Sequence, residues 1–141
     1  MFLVTLQEML SAARNQLVRV NAHQLAHEMT HGNAIVLDTR TPTDRVTYGC
    51  IPGSIHTPRT VLEWRVALDA PLRLPQITNH NQLLVVVCNE GFSSSLAAVS
   101  LQLLGFHRAT DLIGGVQAWS AAQLRLVAPQ ADEVGIRTDL L

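Results

Sequence analysis

Hydrophobic residues near the N-terminus recur at intervals of three and four, the period of a helix that lies with one face on a core. The residues that make up this apolar face are Phe2, Leu6, Met9, Leu10 and Ala13. We therefore predict a helix over residues 2–14 and treat residues 1–19 as a helical extension. A second helix is predicted to begin after Asn21, a favourable N-cap, and to end near His31.

Two uninterrupted apolar runs predict buried strands. The first covers residues 34–37, with Asp38 at its C-terminal end, and the second covers residues 83–87, directly before Cys88. Because successive side chains of a strand point to opposite faces, such runs require both faces of the sheet to be covered. Shorter strands are predicted over residues 54–57 and 109–113.

Helical segments separate these strands. The stretch from Thr41 to Tyr48 combines an N-cap with a proline at the first helical position. Further helices are predicted over residues 61–68, 93–104 and 116–122, the last after a double glycine. Strands that alternate with helices over short loops imply a parallel sheet with helices on both faces, so the predicted fold class is α/β.

Composition excludes several classes of protein. The chain has 141 residues, 48% of them hydrophobic and 15% charged, which suits one globular domain. A net charge of -1 gives no electrostatic reason to bind nucleic acid or an anionic membrane. The N-terminus lacks a basic leader, no apolar run approaches the roughly 20 residues of a membrane span, and two cysteines are too few for a disulfide framework. We expect a cytoplasmic protein with neither nucleic acid nor membrane as partner.

The segment after the strongest strand carries the candidate chemistry, because ligands of parallel sheets bind beyond the carboxyl ends of the strands. Cys88 begins this segment, Gly91 permits a tight loop, and serines follow at the start of a helix. Amide groups of such a loop and the helix N-terminus can stabilise a sulfur anion. If these groups stabilised the thiolate by about 2 kcal/mol, half of the population of an ordinary cysteine would be in the reactive thiolate form at neutral pH. On composition alone, a buried structural cysteine explains the same residue.

Five segments of the chain, in this order and spacing, resemble the rhodanese-like domain family. They are Asp38-Thr39-Arg40, Gly49 to Ser54 with Pro58, Cys88-x-x-Gly91-x-Ser93-Ser94, Leu104-Gly105-Phe106, and Leu112 to Trp119. The resemblance covers residues 20–127 and leaves residues 128–141 as a C-terminal tail. It implies a five-stranded parallel sheet flanked by helices, and a Cys88 that carries sulfane sulfur as a persulfide, without a metal or cofactor.

The resemblance also assigns roles to neighbouring residues. The implied active-site and substrate-binding loop consists of Asn89, Glu90, Gly91, Phe92, Ser93 and Ser94. We expect Asp38 to support this loop by accepting hydrogen bonds from its amides, and Arg40 and Arg59 to bring positive potential to the pocket mouth. A structural ion pair is the alternative for Arg40.

The identity of the sulfur donor and acceptor stays open in the sequence. Glu90 would repel an anionic donor such as thiosulfate and would raise the pKa of the thiol if it faced inward. A persulfide of a protein or of a small thiol is an equally good donor, and the expected acceptor is a thiol or a protein.

Several alternatives remain. A rhodanese-fold binding or regulatory module would keep Cys88 without turnover. A phosphatase of the same fold would need an arginine where Ser94 stands. A zinc hydrolase is suggested by the H-E-x-x-H pattern from His27 through Glu28 to His31, although no third ligand follows at the expected spacing.

Two further expectations concern Cys50 and assembly. Cys50 precedes a strand whereas Cys88 follows one, so we expect them at opposite ends of the sheet, too far apart for a disulfide. If the N-terminal helix exposes Phe2, Leu6 and Met9, a homodimer becomes plausible.

Overall fold

The computed structural model describes residues 2–130, in which six α-helices surround a single sheet. The helices are α1 (Leu6–Asn15), α2 (Ala22–Thr30), α3 (Pro42–Tyr48), α4 (Leu62–Val66), α5 (Ser93–Leu103) and α6 (Gly115–Ala121). The strands are β1 (Ala34–Asp38), β2 (Ile55–His56), β3 (Leu83–Val87) and β4 (Thr110–Asp111). A 3₁₀ turn, Arg59–Val61, leads into α4. No helix of the described part is long and apolar enough to cross a membrane.

The sheet is parallel throughout, with the strand order β2-β1-β3-β4. β1 and β3 pair over their whole length and place Asp38 beside Val87, at the carboxyl edge. The described residues form four strands, and the fifth strand implied by the resemblance is not among them. Beside β4, Val20 forms only an isolated parallel bridge with Leu112. Asn21 follows directly as the N-cap of α2, so the chain leaves the sheet after one residue.

Local capping explains where the helices begin. Asn21 and Gln24 form a reciprocal capping box at the start of α2, which confirms the predicted N-cap. At α1 the same arrangement between Thr5 and Glu8 starts the helix at Leu6, four residues later than predicted. The T-x-x-E spacing in the sequence is the signal for this start.

The sheet is covered on both faces, as the apolar runs predict. Leu37, Leu84 and Val86 pack on one side, against residues that include Leu62, Leu101 and Phe106. Val36, Val85 and Val87 pack on the other side, against residues that include Leu25, Val116 and Trp119. The two strands are therefore central, and Cys88 leaves the sheet from its most buried part.

The predicted apolar face of the N-terminal helix is buried only in part. Leu10 and Ala13 are buried, and α1 packs against α5. Leu6 is 75% exposed, Met9 is 48% exposed, and Phe2 is fully exposed. Residues 131–141 of the predicted C-terminal tail lie outside the described residues.

Candidate active site

Cys88 lies at the carboxyl end of β3, at the base of a pocket of about 340 Å³. The pocket is lined by Thr39, Arg40, Thr41, Asp44, Cys88, Asn89, Glu90, Phe92 and Ser93. Cys88 itself is only 7% exposed, whereas Glu90 and Phe92 stand at the exposed rim. Of the predicted loop residues, Asn89, Glu90, Phe92 and Ser93 line this opening, whereas Gly91 and Ser94 are buried and do not line it.

Two hydrogen-bonding groups of the loop contact the sulfur, the Gly91 amide as a donor and Ser94 Oγ as the acceptor from the Cys88 thiol. The Gly91 amide donates to Cys88 Sγ at 3.1 Å, and Ser94 Oγ lies 3.2 Å from the same atom. Burial alone would raise the pKa of the Cys88 thiol. Hydrogen bonds with the Ser94 hydroxyl, the Ser94 amide, the Ser93 hydroxyl and the Gly91 amide lower the pKa, and together they outweigh burial, which is the largest single effect. The pKa of Cys88 consequently lies below its ordinary value, which favours the thiolate.

Gly91 has a conformation and a position that only glycine fits. Its φ is +83°, and a Cβ at this residue would lie 2.6 Å from the Gly114 amide nitrogen. Because both backbones approach so closely, the double glycine at the start of α6, with Gly114 as the N-cap and Gly115 as the first helical residue, is part of the wall that shapes the Cys88 loop.

The start of α6 holds the loop from the same side. The Val116 amide donates to the Cys88 carbonyl and the Gln117 amide to the Asn89 carbonyl, each at 3.0 Å. These amides belong to the first turn of a helix, where they lack intrahelical acceptors. The first two carbonyls of the loop thus satisfy donors that would otherwise be unpaired.

The N-terminal extension reaches the loop as well, which the sequence analysis missed. Arg14 Nη2 donates to the Gly91 carbonyl at 2.8 Å, and Arg19 Nη2 donates to it at 3.3 Å. The Arg14 guanidinium also lies 6.0 Å from the centre of the Phe92 ring. Two cationic side chains that do not line the pocket therefore support the loop through the Gly91 carbonyl.

Asp111 is a second site residue that the sequence analysis missed. It ends β4 at the carboxyl edge and its carboxylate is fully buried. Asp111 Oδ2 accepts hydrogen bonds from Ser94 Oγ and Ser95 Oγ, each at 2.8 Å. Arg19 forms an ion pair with Oδ1 at 2.8 Å. The predicted strand over residues 109–113 put Asp111 in mid-strand, so the strand-end criterion that selected Asp38 did not select it.

The expected contact between Asp38 and the loop amides is absent from the described hydrogen bonds. Instead the carboxylate accepts from the backbone amide and guanidinium of Arg40, and from Arg45 Nη1 at 2.5 Å. Arg40 follows two residues after the strand end, close enough to fold back onto Asp38, and Arg45 projects from α3. The link to the loop is indirect, through Arg40 Nη1 and Asn89 Oδ1 at 3.4 Å.

Arg40 forms the structural ion pair that is the alternative interpretation of this residue, with Arg40 Nη2 2.8 Å from Asp38 Oδ2. Burial alone would lower the pKa of Arg40, but the hydrogen bond and charge of Asp38 outweigh it, so the pKa is raised. Arg59 does not line the pocket, contrary to expectation. Its guanidinium pairs with Glu63 at 2.9 Å, one helical turn along the chain, and is 44% exposed.

The remaining sequence candidates lie elsewhere. Cys50 and Cys88 are both buried, and neither forms a disulfide. The rings of His27, in the last turn of α2, and His31, its C-cap residue, have centroids 4.3 Å apart, and Glu28 accepts a hydrogen bond from Asn33. Within residues 2–130 no group of three or more His, Cys, Asp or Glu side chains is placed to hold a metal ion.

Sequence relatives share the domain that carries this site. The profile of the rhodanese-like domain family matches residues 21–122. A sulfurtransferase of Allochromatium vinosum is 29% identical over 98 residues, which cover 70% of this chain and 82% of that protein. The adenylyltransferase and sulfurtransferase MOCS3-2 of Zea mays is 36% identical over 86 residues, 60% of this chain and only 17% of its own length.

Solved structures show the same architecture. A thiosulfate sulfurtransferase from Pseudomonas aeruginosa matches with a TM-score of 0.70 and 26% identity, over 87% of this chain and 22% of that one. A Rhodopseudomonas palustris protein of unknown function, described as a possible tyrosine phosphatase, matches with a TM-score of 0.79 and 24% identity, over 89% of this chain and 96% of that one. At that identity the second likeness shows the fold alone. The fold, the motifs around Cys88 and the matched profile together establish that this chain belongs to the rhodanese-like domain family.

Proposed function

We propose that the chain is a sulfurtransferase in which Cys88 accepts sulfane sulfur as a persulfide and passes it to a thiol or protein acceptor. The observation that carries the proposal is the position of Cys88 Sγ, at the base of an open pocket and within hydrogen-bond distance of the Gly91 amide and Ser94 hydroxyl. These donors stabilise negative charge on sulfur, which is what a nucleophilic thiolate needs.

The reaction has two steps of the same kind. In the first, the Cys88 thiolate attacks the outer sulfur of the donor, and the bond that breaks leaves its electron pair on the departing group. That group is sulfite for thiosulfate and a thiolate for an organic persulfide. In the second, an acceptor thiolate attacks the outer sulfur of the persulfide and Cys88 departs as a thiolate. Neither step requires an electron carrier or a metal.

Charge in the pocket favours a donor other than thiosulfate. Among the described lining residues, the Arg40 guanidinium is engaged by Asp38, whereas Asp44 and Glu90 add two carboxylates. A dianion would meet little attraction there and some repulsion. We therefore propose a persulfide of a small thiol or of a protein as the better donor.

A binding or regulatory module remains the second candidate. The acidic rim, and Glu90 in particular, is the observation that favours it, because it disfavours the simplest anionic donor. Phosphatase chemistry is not supported, since Ser94 stands where the phosphate-binding arginine would be. Ser94 is buried between Cys88 and Asp111.

Turnover measurements separate the two candidates. Thiosulfate and, separately, a persulfide of a small thiol would serve as donors, with cyanide as the acceptor. We expect the wild type to exceed the Cys88→Ser variant with at least the persulfide donor, and a folded Cys50→Ala control to keep its rate. Equal rates for wild type and Cys88→Ser with both donors would reject the enzyme in favour of the binding module.

A further inference from the structure

The Ser94 hydroxyl lies between two groups that both compete for it. Its oxygen is 3.2 Å from Cys88 Sγ and 2.8 Å from Asp111 Oδ2. Ser94 and Asp111 are fully buried, so bulk water does not reach the Ser94 hydroxyl or the Asp111 carboxylate. A hydroxyl carries a single proton and therefore donates to only one of these groups at a time.

Asp111 keeps other partners when Ser94 turns away. Ser95 Oγ donates to Oδ2 at 2.8 Å, and Arg19 Nε and Nη2 donate to the two carboxylate oxygens at 2.8 and 3.2 Å. The carboxylate thus remains hydrogen-bonded in either orientation of Ser94. Neither orientation leaves a buried charge unpaired, which is the situation that would block rotation.

The state of Cys88 decides which orientation is preferred. A thiol is a weak donor and a carboxylate is a strong acceptor, so with Cys88 protonated the Ser94 proton points to Asp111 and the S–H points to Ser94. A thiolate is itself an anionic acceptor and attracts the Ser94 proton. We infer that Ser94 is a catalytic residue that donates to Cys88 Sγ whenever charge develops there. Asp111 is the positioning residue that holds the Ser94 hydroxyl in line between the two.

This inference rests on the proposed sulfur transfer and adds to its second step. When the acceptor thiolate attacks the outer sulfur, the S–S bond breaks and its electron pair goes to Cys88 Sγ. The Ser94 O–H then rotates toward that sulfur, its proton stays on oxygen, and nothing is oxidised or reduced. Stabilising the departing thiolate in this way speeds its release.

Other charged groups surround the loop and must stay constant in any test. Those that line the pocket come from the loop itself and from the segment after β1, and others come from the N-terminal extension. These groups are Glu90, Arg40, Asp44, Arg14 and Arg19, with Asp38 behind Arg40. The test variants below leave all of them unchanged.

The first experiment measures the rate of Cys88 alkylation by iodoacetamide as a function of pH. In Ser94→Ala we expect the rate at pH 7 to fall about tenfold and the midpoint of the profile to move to higher pH, because the thiolate loses a donor. Ser95→Ala removes a hydrogen bond from the same Asp111 oxygen but none from the sulfur, so its midpoint should move much less. Ser100→Ala, on the same helix, serves as a distant control.

The second experiment tests the part played by Asp111 with a double-mutant cycle. Asp111→Asn removes the competing acceptor, and we expect its midpoint to move to lower pH. In the Ser94→Ala background the shift of the midpoint caused by Asp111→Asn should be smaller, because part of the effect of Asp111 on Cys88 depends on the Ser94 hydroxyl. An equal move in both backgrounds would mean that Asp111 acts only through its charge, and would overturn the inference.

A spectroscopic measurement tests the contact between Cys88 and Ser94, which the inference requires, even if Asp111→Asn fails to fold. The infrared S–H stretch of the protonated Cys50→Ala protein reports Cys88 alone. With Ser94 present we expect the S–H band at a position shifted by hydrogen bonding, and in Ser94→Ala we expect it at the position of a thiol without a hydrogen bond. A band at the position of a thiol without a hydrogen bond while Ser94 is present would contradict the inference. The proposed function fails separately, if wild-type Cys88 takes up no sulfur while these thiol measurements come out as expected.

Discussion

The chemistry of Cys88 depends on a few neighbouring atoms rather than on the net charge of the protein. The Gly91 amide and the Ser94 hydroxyl reach the sulfur because the chain turns sharply directly after β3. That turn uses the positive φ of Gly91, and the backbone of the Gly114-Gly115 pair fills the space beside it. The hydrogen bonds lower the pKa of Cys88 in spite of its burial, so its reactivity should rise with pH through a midpoint below that of an ordinary cysteine.

The rim charge gives a prediction about donor selectivity. Glu90→Gln should raise the rate with thiosulfate about threefold to tenfold at low ionic strength, and change the rate with an uncharged donor little. Steady-state kinetics with both donors measures this ratio. Asp69→Asn, which removes an exposed carboxylate outside this pocket, is the control. If Glu90→Gln and Asp69→Asn respond alike, Glu90 does not govern the choice of donor.

The close backbone contact gives a prediction about stability. Gly91→Ala should lower the free energy of unfolding by roughly 3 kcal/mol, because a Cβ would add a clash with Gly114 to the strain of a positive φ. Gly32 also has a positive φ, but a Cβ there would meet nothing within 4 Å, so Gly32→Ala should cost about 1 kcal/mol. Urea unfolding of both variants provides the comparison, and equal losses would contradict the role assigned to the contact.

The regular elements account for most of what sequence patterns reveal. β1, β3 and α5 are long enough for their apolar runs or their helical spacing to be recognised in the sequence. The N-caps Asn21 and Thr41 correctly predict where α2 and α3 begin. The residue patterns predict four strands, the number found among the described residues, whereas the fifth strand was implied only by the family resemblance. α4 ends at Val66, two residues before the predicted end.

The burial of α1 gives a prediction about how the N-terminal helix contributes to stability. Leu10→Ala should lower the free energy of unfolding by about 2 kcal/mol, because Leu10 is 8% exposed on the face that packs against α5. Leu6→Ala on the exposed face should change it by less than about 0.5 kcal/mol. Thermal unfolding measures both. If Leu10→Ala leaves the stability unchanged, α1 is not part of the folded core.

Side-chain direction at the carboxyl edge explains what the sequence could not provide about the site. Topology brings Asp38, Cys88 and Asp111 to one edge, and for Asp38 and Cys88 this much follows from the order of strands and helices. Which carboxylate turns toward the sulfur does not, because a side chain after a strand end follows its nearest partners. Asp38 meets Arg40, whereas Asp111 meets Ser94. Arg59 likewise turns to Glu63 rather than to the pocket.

Apolar side chains exposed at the N-terminus lead us to predict that the protein forms a homodimer. Leu6 and Met9 on α1, and Phe2 before it, remain exposed while the opposite side of the helix packs on α5. We expect light scattering to show a dimer at micromolar concentration and Leu6→Glu to shift it toward monomer. A wild-type monomer over the whole concentration range would contradict this assembly.

Sulfur uptake by Cys88 is best followed by mass spectrometry of the protein and its peptides. The protein would be incubated with a persulfide of a small thiol, freed of the donor and then treated with an excess of acceptor thiol. We predict one added sulfur atom per chain, located on the peptide that contains Cys88, and its loss after the acceptor is added. Absence of added sulfur from that peptide, or its location on Cys50 instead, would contradict the proposal.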